Sequence, residues 1–495
     1  MRRTTDTEVL VVGAGPVGLM LAGELRLGGA RVTVIDRLPA PGTESRASTL
    51  HSRTMEILQL RGLLAEFGTP PQVPRGHFGG LPLDLDGTAT DWPGQWKVPQ
   101  TRTEELLGGW AVRLGADLRR GHELRELEED AGGVTVRVAA PGGERRMSAA
   151  YVVGCDGEES TVRELAGIPF PGTDAARELL RADVRGIDIA ARRFERHPRG
   201  LAVAGDLGGG VTRVMVHEFG RAPVERTGAV PFAELAGAWS RVTGEDIGGG
   251  TPLWVGAFGD ARRLAARYRQ GRVLLAGDAA HQQLPVGGQA LNLGLQDAVN
   301  LGWKLASAVR GRAGEELLES YHTERHAVGA RVQSSVGAQA RVLLGGPEVE
   351  GLRTVLGELL GLDEVRRHLA ASVSGLDIRY PAPPGAHPLV GTWLPRLPHE
   401  ELAAPLRAGR GAVIDLSDDP GSGSGPGSGS GRRAALREAA AGWADRVAVA
   451  SAPPPADLPA GADSALVRPD GHVAWAGTGT AALRDALRGW FGAAR

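Results

Sequence analysis

A glycine-rich turn between two short apolar segments near the N-terminus is the feature that most constrains the fold. Glu8–Val12 suits a buried parallel strand, and Leu19–Leu25 has a helical pattern. A second strand, Arg31–Ile35, leads into Asp36, where an acid can accept hydrogen bonds from a ribose. This order predicts a βαβ unit that binds a dinucleotide, with the pyrophosphate at a helix N-terminus. The contacts predicted in this unit are those of Gly13, Gly15, Pro16, Val17, Gly18, Asp36 and Arg37.

Composition narrows the class of protein. The 495 residues are enough for two or three domains, and the net charge is −2, so no basic excess argues for nucleic acid. No long apolar run predicts a membrane span, and we expect a cytoplasmic protein. The single cysteine, Cys155, excludes an internal disulfide and a cysteine-based metal cluster, and we expect no metal ion.

The pattern along the chain predicts four regions. Residues 1–172 and 271–386 form two parts of a nucleotide-binding domain, the second with a helical connection. Residues 173–270, with alternating apolar positions and one helix, form an inserted α+β substrate domain. Residues 387–495 form a compact α/β module. Within it, the Gly-Ser repeat Gly421–Gly431 is expected to be a loop.

Three further segments identify a resemblance. Gly277–His281 (GDAAH) follows an apolar strand, Pro285–Asn292 (PVGGQALN) contains paired glycines, and Gly154–Arg163 contains an Asp-Gly pair. Together with the glycine-rich turn, they resemble class A flavin monooxygenases of the para-hydroxybenzoate hydroxylase fold. Within that family the chain is most similar to bacterial aromatic polyketide hydroxylases that act on angucyclines and anthracyclines.

The resemblance implies the α/β fold class: a Rossmann-like FAD-binding domain with an inserted α+β domain and a C-terminal thioredoxin-like domain without cysteine. It implies that Asp278 contacts the ribityl chain of FAD and that Leu124 makes a backbone contact near the adenine. The remaining contacts that it implies are those of Arg46 and Gln100 with the flavin, of Asp156 and Gly157 near the junction of FAD and NAD(P)H, of Gly277 in the Gly-Asp motif, and of Pro285, Gly287, Gly288, Leu291 and Asn292 over the flavin ring.

Simpler interpretations stay open at individual positions. Asp278 could cap a helix, Arg46 could form a surface salt bridge, and Leu124 could be a core leucine. Gln100 could be an ordinary polar loop residue. We expect His281 to form structural hydrogen bonds and His51 to be a packing or surface group.

The implied activity is that of a monooxygenase that uses FAD, NADPH or NADH, and O2, and hydroxylates a polycyclic aromatic polyketide through a flavin C4a-hydroperoxide. The flavin carries the chemistry, so no catalytic side chain is assigned. The alternatives are Baeyer–Villiger oxygenation of a polyketide ketone and a non-catalytic flavoprotein that binds a polyketide. The substrate is expected between the flavin domain and the inserted domain, in a monomer or homodimer.

Overall fold

The computed structural model describes residues 5–42, 47–226, 228–394, 400–417, 429–454 and 458–495. The helices in these ranges are α1 (Pro16–Leu27), α2 (Ser52–Leu60), α3 (Leu64–Phe67), α4 (Gln100–Arg113), α5 (Thr161–Leu165), α6 (Phe232–Thr243), α7 (Gln289–Val309), α8 (Glu315–Leu344), α9 (Glu350–Leu360), α10 (Asp363–Ser374), α11 (Glu400–Arg407), α12 (Gly429–Ala440) and α13 (Thr480–Phe491).

The first strands are β1 (Thr7–Val12), β2 (Val32–Asp36), β3 (Thr49–His51), β4 (Gln72–Val73), β5 (Arg75–Phe78), β6 (Leu81–Asp84), β7 (Gln95–Lys97), β8 (Asp117–Arg120), β9 (Glu123–Asp130), β10 (Gly133–Ala140), β11 (Gly143–Gly154) and β12 (Gly172–Thr173). They are followed by β13 (Glu178–Arg185), β14 (Arg192–His197), β15 (Gly200–Gly208), β16 (Val211–Glu218), β17 (Thr251–Gly259), β18 (Arg262–Leu264), β19 (Arg269–Gln270), β20 (Val273–Leu275), β21 (His281–Gln282), β22 (Gly411–Asp415), β23 (Val447–Ser451), β24 (Ser464–Val467) and β25 (Val473–Gly477).

A parallel sheet with the order β20-β11-β1-β2-β8 forms the centre of the nucleotide-binding region. Strands β1 and β2 are continuous apolar runs and are almost fully buried, as expected of parallel strands covered on both faces. Helix α7 lies close against α1: a Cβ added at Gly302 would stand 2.3 Å from the Cβ of Glu24. This close contact joins the first part of the region to the second.

The inserted region forms a five-stranded antiparallel sheet with the order β14-β15-β16-β13-β17. Strand β13 alternates its side chains between two faces. Leu180, Ala182 and Val184 pack against α6, around the buried Trp239. The opposite face of the sheet therefore carries Leu179 and Arg181, and it points away from α6.

The C-terminal region contains a mixed four-stranded sheet with the order β23-β22-β24-β25. Strand β22 pairs in parallel with β23 and antiparallel with β24, and α12 and α13 pack on the sheet. This is the predicted thioredoxin-like arrangement. Residues 421–428 of the predicted Gly-Ser loop lie outside the described residues, and the prediction is wrong for its last three residues, because α12 begins at Gly429.

A buried charge network joins the C-terminal region to the nucleotide-binding region. The Nη1 of Arg468 donates to the Oε1 of Glu324 at 2.6 Å, and the Nζ of Lys304 donates to Oε2 at 2.7 Å. Arg468 also pairs with Asp470, so two cations meet two carboxylates. Although burial alone would raise it, Arg468 and Lys304 lower the pKa of Glu324 to about 2.

Candidate functional site

The glycine-rich turn leaves room for a phosphate group at the start of α1. Gly13 has a φ of +104°, and a Cβ there would lie 2.3 Å from the carbonyl oxygen of Cys155. A Cβ on Gly18 would lie 2.0 Å from the carbonyl oxygen of Gly13. At Gly15, by contrast, an added Cβ would meet no described atom within 4 Å. Gly13 and Gly18 therefore permit close packing, and Gly15 faces open space.

The N-terminus of α1 has the chemistry that an anion requires. Among the described residues no side chain caps this helix, and its first turn contains no acid. Pro16 occupies the first helical position, where an N–H group would lack an intrahelical partner. The remaining N–H groups and the positive end of the helix dipole fit a pyrophosphate. The residues present therefore fit a bound dinucleotide such as FAD.

Asp36 stands beside this turn at the end of β2. Its Oδ2 accepts a hydrogen bond from the Ala14 N–H at 2.7 Å, and its Oδ1 accepts one from the Leu38 N–H at 2.8 Å. Each carboxylate oxygen keeps a second lone pair, which suits the predicted ribose contact. Arg37 is exposed next to it, and Leu124 is buried in β9, so the contacts predicted for these two residues remain predictions.

The Gly277–Asp278 pair forms a 3₁₀ turn directly after β20. Gly277 has a φ of +64° and packs against Val17, whose side chain would stand 3.0 Å from an added Cβ. The next residue, Asp278, is exposed, on the same turn. This turn therefore lies against the N-terminal end of α1, and a ribityl contact by Asp278 stays a prediction that the geometry permits.

The segment Pro285–Asn292 forms a second helix N-terminus. Gly287 and Gly288 have φ values of +67° and +73°, which only glycine adopts easily. Leu291 is half-buried in the first turn of α7. That turn contains no acid, and among the described residues no side chain caps it. Its N–H groups could therefore stabilise negative charge on a bound reduced flavin.

Asn292 and His51 hold this loop in place. The Nδ2 of Asn292 donates to the Gly288 carbonyl at 2.8 Å, while its Oδ1 accepts from the His51 N–H at 2.8 Å. The imidazole Nε2 of His51 lies 2.8 Å from the carbonyl oxygen of Gly287. Burial lowers the pKa of His51 to about 4, so a neutral ring donates this bond. The packing expected of His51 thus includes a specific contact with the segment Pro285–Asn292, hereafter the flavin loop.

The Asp-Gly pair of the third segment lies behind the glycine-rich turn. The Oδ2 of Asp156 accepts from the Val162 N–H at 3.0 Å at the start of α5, and Oδ1 accepts from the Ser160 hydroxyl at 2.5 Å. Burial raises the pKa of Asp156. Gly157 has a φ of +88° with open space at the Cβ position. In this structure the Asp156 carboxylate stabilises the turn into α5, and contacts of the pair with FAD remain predictions.

The other predicted positions have separate outcomes. Gln100 begins α4, where its Oε1 accepts from the Ala47 N–H at 3.2 Å. Arg46 lies outside the described residues. His281 is fully buried, with its Nε2 2.8 Å from the Oδ2 of Asp297, which is the structural hydrogen bond expected of it.

Among the described residues no three His, Cys, Asp or Glu side chains are grouped to hold a metal, and no helix is long and apolar enough to cross a bilayer.

The fold and this site define an α/β protein with a dinucleotide-binding site that suits FAD. The chain matches the family described as FAD binding domain over residues 6–336 and the family described as Aromatic-ring hydroxylase, C-terminal, over residues 387–494. It therefore belongs to the FAD-dependent aromatic-ring hydroxylases. The predictions of fold class, FAD and monooxygenase activity are thereby confirmed.

Three similar proteins span nearly the whole chain. The 12-dehydrotetracycline 5-monooxygenase/anhydrotetracycline 6-monooxygenase of Streptomyces rimosus is 43% identical, over 98% of this chain and 99% of that protein. The crystal structure of CabE, an aromatic hydroxylase from angucycline biosynthesis, is 47% identical with a TM-score of 0.91, over 99% of this chain and 100% of that chain. The dialkyldecalin synthase of Streptomyces rugosporus is 37% identical, over 99% of this chain and 100% of that protein.

We expect Asp278→Ala to weaken FAD binding by about 1.5–3 kcal/mol, the usual contribution of a charge-assisted hydrogen bond. That loss corresponds to a dissociation constant roughly 10 to 150 times higher. Titration of the apoprotein with FAD, followed by flavin fluorescence, measures the change. Asp278→Asn is the matched control, because it keeps an acceptor oxygen and should bind FAD more tightly than the alanine variant. Unchanged affinity in Asp278→Ala would mean that the ribityl contact is misassigned.

Proposed function

We propose that the protein hydroxylates a polycyclic phenolic polyketide, using FAD, NADPH or NADH, and O2. One relative is named for tetracycline-type substrates and CabE is an aromatic hydroxylase from angucycline biosynthesis, which supports this class of substrate. The observation that carries the proposal is a contact between the inserted sheet and the flavin loop. Leu179 and Leu201 of the sheet form one apolar cluster with Leu284 and Val286, which flank Pro285.

The substrate position follows from this contact. Met215 and Phe258, on the same face as Leu179, are only partly buried where they pack on the cluster. Partly exposed apolar and aromatic side chains beside a cofactor loop are typical of a site for a flat aromatic ligand. We place the substrate beside this contact, against the sheet face of Met215 and Phe258 and next to the Pro285–Asn292 loop, and we call this position the substrate cleft.

Arg181 supplies the polar group of the proposed cleft. It lies on the same face of β13, opposite Met215 of β16, and its guanidinium stands 5.3 Å from the ring of Trp254 and 5.8 Å from that of Phe258. Burial and the neighbouring Arg213 lower the pKa of Arg181 to about 10. The guanidinium of Arg181 places a positive charge on this face of the sheet, and a positive charge favours the ionised, electron-rich form of a phenol.

The residues of the chain then have separable tasks. Bound FAD supplies the oxygen-transferring chemistry. The N–H groups at the start of α7 would bind the flavin, and His51 fixes the loop that leads into that helix through its contact with Gly287. The apolar cleft excludes water, and Arg181 orients the phenolic oxygen.

The proposal is tested by product analysis with 18O2. We expect NADPH- or NADH-dependent conversion of a panel of polycyclic phenols, including anhydrotetracycline, with one atom from O2 in a new hydroxyl group. A parallel reaction in H2(18)O controls for oxygen from water. Label from water, or reduction that yields only hydrogen peroxide with every compound, would contradict hydroxylation.

The same experiment distinguishes hydroxylation from two other reactions. A lactone or ester product containing the label would indicate Baeyer–Villiger oxygenation instead. The similarity to a dialkyldecalin synthase favours, as a second candidate, a flavoprotein that transforms a polyketide without inserting oxygen. In that case product would form from the right substrate without consumption of NADPH or O2.

A further inference from the structure

A partly enclosed cavity of about 340 Å³ lies on the far side of α7 from the dinucleotide turn. Gln289, Leu293 and Gln296 of α7 line it. Gly294 lies on the opposite side of the same helix, where an added Cβ would stand 2.7 Å from Val17 and 3.0 Å from the Cα of Gly277. The cavity is therefore separated from the glycine-rich turn by the thickness of α7.

The cavity also differs from the proposed substrate cleft. Its walls come from β3, α7, α8, α10 and the segment Asp377–Pro381, and no residue of the inserted sheet lines it. Three of its lining residues, Leu293, Val328 and Tyr380, form their own buried apolar cluster. The volume falls within the range of small-molecule sites and suits about three fused rings.

The polar groups of the cavity indicate the charge of its ligand. Glu324 lies in its wall but is neutralised by Arg468 and Lys304, and Arg331 at its edge pairs with Asp377. Arg379 also lines the edge, where it is exposed to solvent and its Nη2 donates to the Pro388 carbonyl. Gln289 is 6% exposed, and its Nε2 has no hydrogen-bond acceptor among the described residues. A buried amide without an acceptor is costly, so a ligand carbonyl would stabilise it.

We propose that this cavity is a second binding site, for an uncharged polycyclic aromatic molecule whose carbonyl accepts a hydrogen bond from Gln289. The site also has a route to the flavin. His51 forms part of the wall and contacts the Gly287 carbonyl at 2.8 Å. Occupancy of the cavity therefore shifts the environment of the flavin loop without a ligand in the substrate cleft.

The test uses the FAD-loaded protein and 1,8-dihydroxyanthraquinone, an uncharged three-ring ketone, in calorimetric and flavin-absorbance titrations. We expect two bound molecules per chain. Val328→Phe fills the cavity and should leave only the molecule bound in the substrate cleft. Trp254→Ala, in the sheet, should weaken binding in the cleft and leave binding in the cavity unchanged. Gln289→Leu, which keeps the side-chain size but removes the donor, should weaken the cavity site about tenfold or more; it tests the proposal if Val328→Phe fails to fold.

Other results would overturn the proposal. An equal number of bound molecules in the wild type and in folded Val328→Phe would show that the cavity binds no such ligand. Loss of 18O incorporation in folded Val328→Phe would show that the cavity is the substrate site itself and not a second one. Retained 18O incorporation in that variant, together with loss of one binding event, supports the second site and leaves the proposed function intact.

Discussion

Glu324→Ala is expected to lower the free energy of unfolding by about 3–5 kcal/mol, because it leaves buried cations without their carboxylate. Arg468 and Lys304 both contact Glu324, and their side chains are 2% and 0% exposed. Arg468 belongs to the C-terminal region and Glu324 to the nucleotide-binding region, so loss of their contact should make the two regions unfold at different denaturant concentrations. Denaturant unfolding, followed by tryptophan fluorescence and by flavin release, measures both effects.

A matched control lies on the same helix. Glu319 of α8 is 56% exposed and stands 3.7 Å from Arg269, so Glu319→Ala should change stability by less than about 1 kcal/mol.

The pH dependence of stability gives a second check. Because the pKa of Glu324 falls from an ordinary 4.5 to about 2, its contribution is complete above pH 4.5 and is lost as the pH falls through 2. Equal stability of both variants near neutral pH, or an unchanged difference between Glu324→Ala and wild type as the pH falls through 2, would contradict this account.

Local patterns predicted the parts of the fold that depend on neighbouring residues. Apolar runs of the correct length gave β1 and β2, and the spacing of Gly13, Gly15 and Gly18 gave the turn between β1 and α1. The boundaries were less exact: α1 spans Pro16–Leu27, longer than the predicted Leu19–Leu25. Helix ends depend on caps and tertiary contacts that a periodic pattern does not contain.

The contacts of the site could not be predicted from the sequence, because they join distant segments. His51 meets Gly287 across 236 positions of the chain. A histidine at the end of a strand has many possible partners. His51 contacts Gly287 because the fold places β3 next to Gly288. Arg181 was missed for a different reason: an arginine in an alternating strand normally faces solvent, and its burial depends on Trp254 and Phe258 of β17.

The buried charge network around Glu324 could not be predicted from the sequence either. Nothing in the segments around Glu324 and Arg468 indicates that the two side chains meet. Charged residues are rarely buried unless they are paired. Their burial therefore follows from the docking of the C-terminal sheet, which is a property of the whole fold.

Arg181→Met is expected to lower kcat/KM for a phenolic substrate by roughly 10 to 150 times, equivalent to about 1.5–3 kcal/mol for a lost charge-assisted hydrogen bond. Methionine keeps an apolar stem beside Trp254 and Phe258 but carries no cation. The pKa of the bound phenol should rise in this variant, because the positive charge that favours the phenolate is gone. Absorbance titration of the enzyme–substrate complex measures that pKa, and steady-state kinetics measure the rate.

Two variants separate this role from general stabilisation of the sheet. Arg181→Lys keeps the charge and should restore most of the phenolate signal, although it lacks the planar fork of arginine. Arg185, on the same strand and the same face but exposed at its far end, provides the matched control. Arg185→Met should leave both the phenol pKa and kcat/KM near wild-type values. An unchanged bound-phenol pKa in Arg181→Met would exclude contact between Arg181 and the phenolic oxygen, whatever happened to the rate, since a change in stability alone does not alter the ionisation of the substrate.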